Sequence, residues 1–290
     1  MNTVQFSLSR VGEENLHYFE SDTESPIQLV FVPGGLNPEV WDQQLRYFSK
    51  SFKTVSFRPT VSFRDYEGEK EALKNILEQD SMENVVLISH VIGNGLVQEF
   101  EEHENVISTI MTSPRRKFED MPPRKVADWI YRIGSRKPKI AKKMFFGEKT
   151  EYRIVKEFTE KLEKPDYSDL KTFVDDYMVG RPKKESLVIH PERDRFSSID
   201  FAQELTPNAS ISCLKDSGAF CFYEKPQEYN KALLDFLNVI EDEAKSQEII
   251  EVKNKNHSLL EFETEDENKR EERDESSRKS FRNQKQKVKV

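Results

Sequence analysis

Apolar residues recur along the chain in two rhythms, one short and strand-like, the other helical. Val4 to Phe19, short runs broken around Gly12 to Asn15, predicts an antiparallel hairpin that opens a sheet. The apolar run from Ile27 to Val32 ends in Pro33-Gly34-Gly35, as a strand buried on both faces does when it stops in a tight turn. Trp41, Leu45 and Phe48 then recur at helical spacing within Glu39 to Lys50. Further strands are predicted at Phe52 to Phe57, Val85 to His90 and Val106 to Thr112, separated by helices at Asp65 to Gln79 and Ile92 to Glu102. Such alternation implies a parallel sheet.

From Arg115 to Gly180 the strand rhythm disappears. Val126, Trp129, Ile130 and Ile133, followed by Ile154, Phe158 and Leu162, predict an inserted group of helices. Strands return at Ser186 to His190 and Ala209 to Leu214, and a helix from Pro226 to Ile240 closes the pattern. The fold class is therefore α/β, with a mostly parallel central sheet flanked by helices. The core spans residues 1–114 and 181–240, the insertion 115–180, and a tail 241–290.

The tail is set apart by charge. Glu261 to Glu275 holds nine acidic and three basic residues, and Ser277 to Val290 holds six basic and no acidic ones. Blocks of this kind predict disorder. A formal charge of -8 over 290 residues argues against general nucleic-acid binding, which needs a net basic face. The two cysteines, Cys213 and Cys221, form no C-x-x-C pair, so the sequence implies neither a structural metal nor a cofactor. Met1 to Arg10 lacks the form of a targeting segment, and no stretch reaches bilayer-spanning length. A soluble, cytoplasmic protein without a transmembrane segment is the expectation.

Three separated strings carry the candidate chemistry. Val85-Val86-Leu87-Ile88-Ser89-His90-Val91-Ile92-Gly93-Asn94-Gly95 runs from strand through tight turn into helix. Leu187-Val188-Ile189-His190-Pro191-Glu192-Arg193-Asp194-Arg195-Phe196 is a strand followed by a loop. Gly218-Ala219-Phe220-Cys221-Phe222-Tyr223-Glu224-Lys225-Pro226 leads into the final helix. In order and context these strings resemble the α/β-hydrolase fold superfamily, in its lid-containing esterase and lipase-like branch, with a degenerate catalytic triad. The resemblance covers Val4 to Ile240 and makes 115–180 a helical lid.

In that family a G-x-S-x-G elbow presents the nucleophilic serine, and Val91 falls where the serine belongs. Asp194 falls at the acid position, and Ala219 stands where the family has its histidine. Ser89 replaces the elbow's first glycine. A β-branched valine is a poor tenant of positive φ, so the strained turn is expected to relax. The resemblance also implies an oxyanion-hole region at Gly34, Gly35 and the amide of Ile92. A small acyl or anionic ligand could bind those backbone donors, or the glycines could serve the turn alone.

A serine mechanism needs a base within reach of the hydroxyl, and Val91 and Ala219 remove both ends of that pair. Ser89 and His90 point to opposite faces of their strand, which leaves His90 as a packed histidine. Cys221, with His190 or His90 as its base, is a substitute thiol nucleophile, set against the reading of an inert core cysteine. Asp194 without its histidine reads as a structural ion pair with Arg193, Arg195 or a lid cation. Arg115 to Lys143 contains eleven basic and three acidic residues, interleaved with Phe118, Trp129 and Tyr131. That surface suits an acidic partner or anionic lipids, or is a solvated lid face with its aromatics packed inward. Together these features imply a pseudoenzyme with a binding or scaffold role. The alternatives are an active α/β hydrolase with a non-standard site and a tail-mediated interaction protein.

Overall fold

The apolar runs form eight strands: β1 Ser7–Val11, β2 Glu14–Glu20, β3 Gln28–Phe31, β4 Lys53–Pro59, β5 Val85–His90, β6 Val106–Thr112, β7 Ser186–Pro191 and β8 Ala209–Leu214. In the computed structural model, which describes residues 7–11, 14–59, 65–91, 93–116, 138–161, 178–195, 197–206 and 208–242, they build one sheet. Its order is β1-β2-β4-β3-β5-β6-β7-β8. The β1-β2 hairpin adds antiparallel to β4, and every other pairing is parallel. Every residue of β3 and β5 is buried, as their near-continuous apolar sequence requires of central strands.

Helices cover the sheet where the apolar period changes to 3.6. A 3-10 turn, Pro38–Trp41, leads into α1, Asp42–Phe48, and buries Val40, Trp41, Leu45 and Phe48. Helix α2, Tyr66–Leu77, starts at Asp65, whose carboxylate accepts the Gly68 N–H. Its buried stripe includes Ala72, Leu73, Ile76 and Leu77. Helix α3, Gly93–Glu99, is shorter than the sequence pattern suggests, because residues 100–105 leave the helix through a turn closed by His103 N–H to Phe100 O at 3.0 Å.

Within the expected insertion lie α4, Pro138–Phe145, and α5, Tyr152–Lys161. Residues 117–137 of the predicted basic lid surface, including Phe118, Trp129 and Tyr131, lie outside the described residues, as does the charged tail from residue 243. Helices α6, Ile199–Glu204, and α7, Cys221–Glu224, complete the set before the last helix, which starts at residue 226. The chain divides into two compact units, Met1–Phe236 and Leu237–Val290. The first contains the sheet and all the site residues; of the second, residues 237–242 are described and are helical. No helix among the described residues is long and apolar enough to cross a membrane.

Candidate functional site

The chain passes from β3 to β4 on one side and then returns to place β5 on the other side of β3. Ligands of parallel sheets bind beyond the carboxyl ends of the strands at such a reversal. Here those ends are Pro33-Gly34-Gly35 after β3 and Val91 after β5. The two are held together by Val32 N–H to Ile88 O at 2.8 Å. A Cβ on Gly93 would come within 3.1 Å of Gly34 Cα, so the turn after β3 lies directly against the start of α3.

Val91 sits at this bend with φ 40°. The relaxed turn expected from its β-branched side chain is therefore not what forms. The left-handed residue is retained at a cost on the order of 1–3 kcal/mol, and tertiary hydrogen bonds account for it. Val91 N–H donates to Thr112 O at 2.9 Å. Ser89 Oγ donates to Asn94 Oδ1 at 2.7 Å, and Asn94 Nδ2 donates to Thr112 O at 2.9 Å, all in the buried interior. The extra hydroxyl at position 89 thus has a matched acceptor at the second residue of α3. Asn94→Ala should destabilise by about 1–3 kcal/mol, because it leaves the Ser89 hydroxyl and the Thr112 carbonyl short of partners. Ser89→Ala combined with Asn94→Ala should cost less than the sum of the two, measured as urea midpoints in a double-mutant cycle.

The loops after β6, β7 and β8 bring up the other candidates. Ser113 N–H donates to Ile189 O at 3.0 Å, and Arg193 N–H donates to Ser217 O at 2.9 Å. Asp194 lies half-buried in the turn after β7. Ala219 is 1 % exposed, beneath a roof in which Phe220 meets Phe158 at 4.5 Å, Phe145 at 5.4 Å and Phe146 at 5.9 Å between ring centroids. The Glu224 carboxylate ties this roof down by accepting from Gly147 N–H, Gly218 N–H and Thr150 Oγ.

Solved structures share this fold. An esterase from Thermogutta terrifontis with malate bound superposes with a TM-score of 0.65 at 14 % identity, over 83 % of this chain and 99 % of that one. The enol-lactonase of Burkholderia xenovorans LB400 gives 0.65 at 14 %, over 80 % and 100 %. A carboxylesterase structure from the thaumarchaeon Nitrososphaera gargenis gives 0.63 at 18 %, over 82 % and 99 %. This is the α/β-hydrolase fold. No protein-family model and no curated protein sequence matches the chain.

On an α/β-hydrolase sheet, Val91, Asp194 and Ala219 follow β5, β7 and β8 in turn. Val91 is 7 % exposed and offers no nucleophilic atom. Ile92 lies outside the described residues. His90 is fully buried, stacked on Phe222 at 4.8 Å and packed on Trp41 at 5.2 Å, and burial pushes its pKa down to about 3. Cys221 is also fully buried. Desolvation, reinforced by the charges of Glu224 and Asp194, holds its thiol well above the usual value. Among the described residues no hydrogen bond joins Cys221 or Ser89 to a histidine. Arg193 directs its guanidinium to Glu148 at 3.8 Å and Asp216 at 3.7 Å.

The sequence pattern did not single out Glu69. Its carboxylate accepts Gly34 N–H at 2.7 Å and Gly35 N–H at 2.8 Å, occupying the two amides of the turn after β3. It is 3 % exposed, and burial pushes its pKa up to about 7 against the pull of those two donors. A signal was available: Glu69 lies three residues before Ala72 and four before Leu73, on the apolar stripe of α2. A surface groove of about 1140 Å³ runs elsewhere, past Asp42, Arg46, Lys161 and Tyr223, and none of the candidate positions lines it.

Proposed function

We propose that this α/β-hydrolase-fold protein is a pseudoenzyme that acts by binding or scaffolding. The observation that carries the reading is Val91 in the left-handed bend after β5. That bend is where the fold presents a nucleophile, and a valine there has nothing to donate to an acyl carbon. Ala219 at the base position and the engagement of the Gly34 and Gly35 amides support the same reading. Losing nucleophile and base together leaves only the residual catalysis of binding and backbone donors. In this reading residues 115–180 form a lid. The exposed Lys139 and Lys143 of α4 belong to a basic face suited to an acidic partner or anionic lipids.

Hydrolysis of short- and long-chain acyl esters by the purified full-length protein tests this. The native chain should give no turnover above buffer. Val91→Ser with Ala219→His should give a detectable gain. That gain should be limited, because each oxyanion donor withheld costs about 10²- to 10³-fold in rate. Robust native turnover would overturn the proposal. An active hydrolase with a non-standard site would then be indicated, with Cys221→Ala and Ser89→Ala locating its nucleophile; burial of the Cys221 thiol counts against it. If the tail alone mediates binding, residues 241–290 as a peptide should retain the whole affinity for a partner.

A further inference from the structure

Glu69 enters the protein interior from the first turn of α2, where the positive end of the helix favours a carboxylate. Among the described residues no cation pairs with it. Its partners are the N–H groups of Gly34 and Gly35, and the carboxylate takes one on each oxygen. Both glycines are left-handed, with φ 63° and 75°, a conformation that a side chain at either position would strain. Two successive amides turned toward one anion form the kind of backbone cradle that binds carboxylate or phosphate oxygens. The cradle adjoins the bend that carries Val91, since Gly34 packs on Gly93 and Gly93 on Ser89.

We propose that the Gly34–Gly35 amide pair is a carboxylate-binding site that Glu69 fills as a tethered ligand. The site admits an outside molecule only if that molecule presents its own carboxylate and displaces the α2 side chain. The inference rests on the pseudoenzyme reading only in identifying these amides with the former oxyanion site. It goes further in naming the ligand class and the residue that competes with it. A neutral ester carbonyl is a weaker acceptor than the resident carboxylate and does not displace it, because charge-assisted hydrogen bonds are roughly twice as strong as neutral ones.

The test uses full-length Glu69→Ala at pH 8 with sodium acetate as the probe and sodium chloride at equal ionic strength as the control. Acetate should raise the Tm of the variant by about 2–4 °C at roughly ten times its Kd. It should move the Gly34 and Gly35 amide signals in a ¹⁵N–¹H spectrum, and leave the native protein unchanged in both. An acetate effect no larger than that of chloride, or equal in native and variant, would overturn the proposal. Should Glu69→Ala fail to fold, the native protein supplies the readout. Its Gly34 and Gly35 amides should shift together between pH 5.5 and 8.5 as the buried carboxyl ionises, and should stay fixed in Glu69→Gln. Gly34 and Gly35 amide shifts at pH 8.5 that are the same in the native chain and in Glu69→Gln would overturn the proposal as well. None of these readouts involves turnover, so native esterase activity would remove the pseudoenzyme reading without touching this one.

Discussion

Replacing His90 with phenylalanine should stabilise the protein at neutral pH and far more in acid. The ring is fully buried, and neither of its nitrogens has a hydrogen-bond partner among the described residues. Leaving such groups unsatisfied costs about 1–3 kcal/mol, which an apolar ring of similar shape avoids. Its neighbours Trp41, Phe220 and Phe222 are aromatic and already accommodate a flat ring. The larger effect is protonic. His90 titrates near 6.5 in the unfolded chain and about 3 in the fold, so between those values the unfolded state binds the extra proton. Its contribution is therefore intact above pH 6.5 and lost as pH falls toward 3, by about 5 kcal/mol in all. His90→Phe removes that limb. Urea midpoints of native and variant from pH 3 to 8 should converge toward a small difference at neutral pH and separate progressively below 6.5. A constant difference across the range would mean that the imidazole reaches solvent.

Glu69 has the opposite sign. Its folded pKa, about 7, lies above the ordinary value of 4.5, so the native state holds the extra proton between the two. The associated stability is complete below pH 4.5 and declines as pH rises through 7, by about 3 kcal/mol. From pH 4.5 to 6.5 the two groups oppose each other, and their combined contribution to the native profile should be nearly flat. Glu69→Gln exposes the rising limb of His90, and His90→Phe exposes the falling limb of Glu69. The flatness of the native curve is thus a cancellation that the two variants resolve.

The architecture was legible because buried parallel strands are written as apolar runs with sharp ends. β5 and β6 begin and end where the sequence places them, and Asp65 marks the start of α2. The order in which Val91, Asp194 and Ala219 follow their strands was legible for the same reason. The conformation of Val91 was not. Local preference argues for a relaxed turn, and the hydrogen bonds that hold it come from Thr112 and Asn94, which no local preference reports. Engagement of the glycine amides was hidden by distance, since Glu69 meets them across 34 and 35 residues of chain. What the sequence did contain was the anomaly of a glutamate on the apolar stripe of α2. Burying an ionisable group there requires partners, and in this fold the adjacent turn supplies them.

Trp41→Ala should be the most destabilising single truncation near the site, by about 3–5 kcal/mol. The indole is fully buried where four elements converge, with ring centroids 5.4 Å from Phe31, 5.2 Å from His90, 4.3 Å from Phe222 and 6.3 Å from Tyr229. Its Nε1–H donates to Val32 O at 3.3 Å, just before the turn that carries Gly34 and Gly35. Truncation therefore opens a cavity beside His90 and Phe222 and frees the end of β3 at the same time. Trp41→Phe separates the two effects. It keeps most of the ring contacts but leaves the Val32 carbonyl without its donor, and should cost about 1–2 kcal/mol. The readout is the urea midpoint at unchanged m. A loss below about 1 kcal/mol for the alanine variant would show that the aromatic cluster closes over the space.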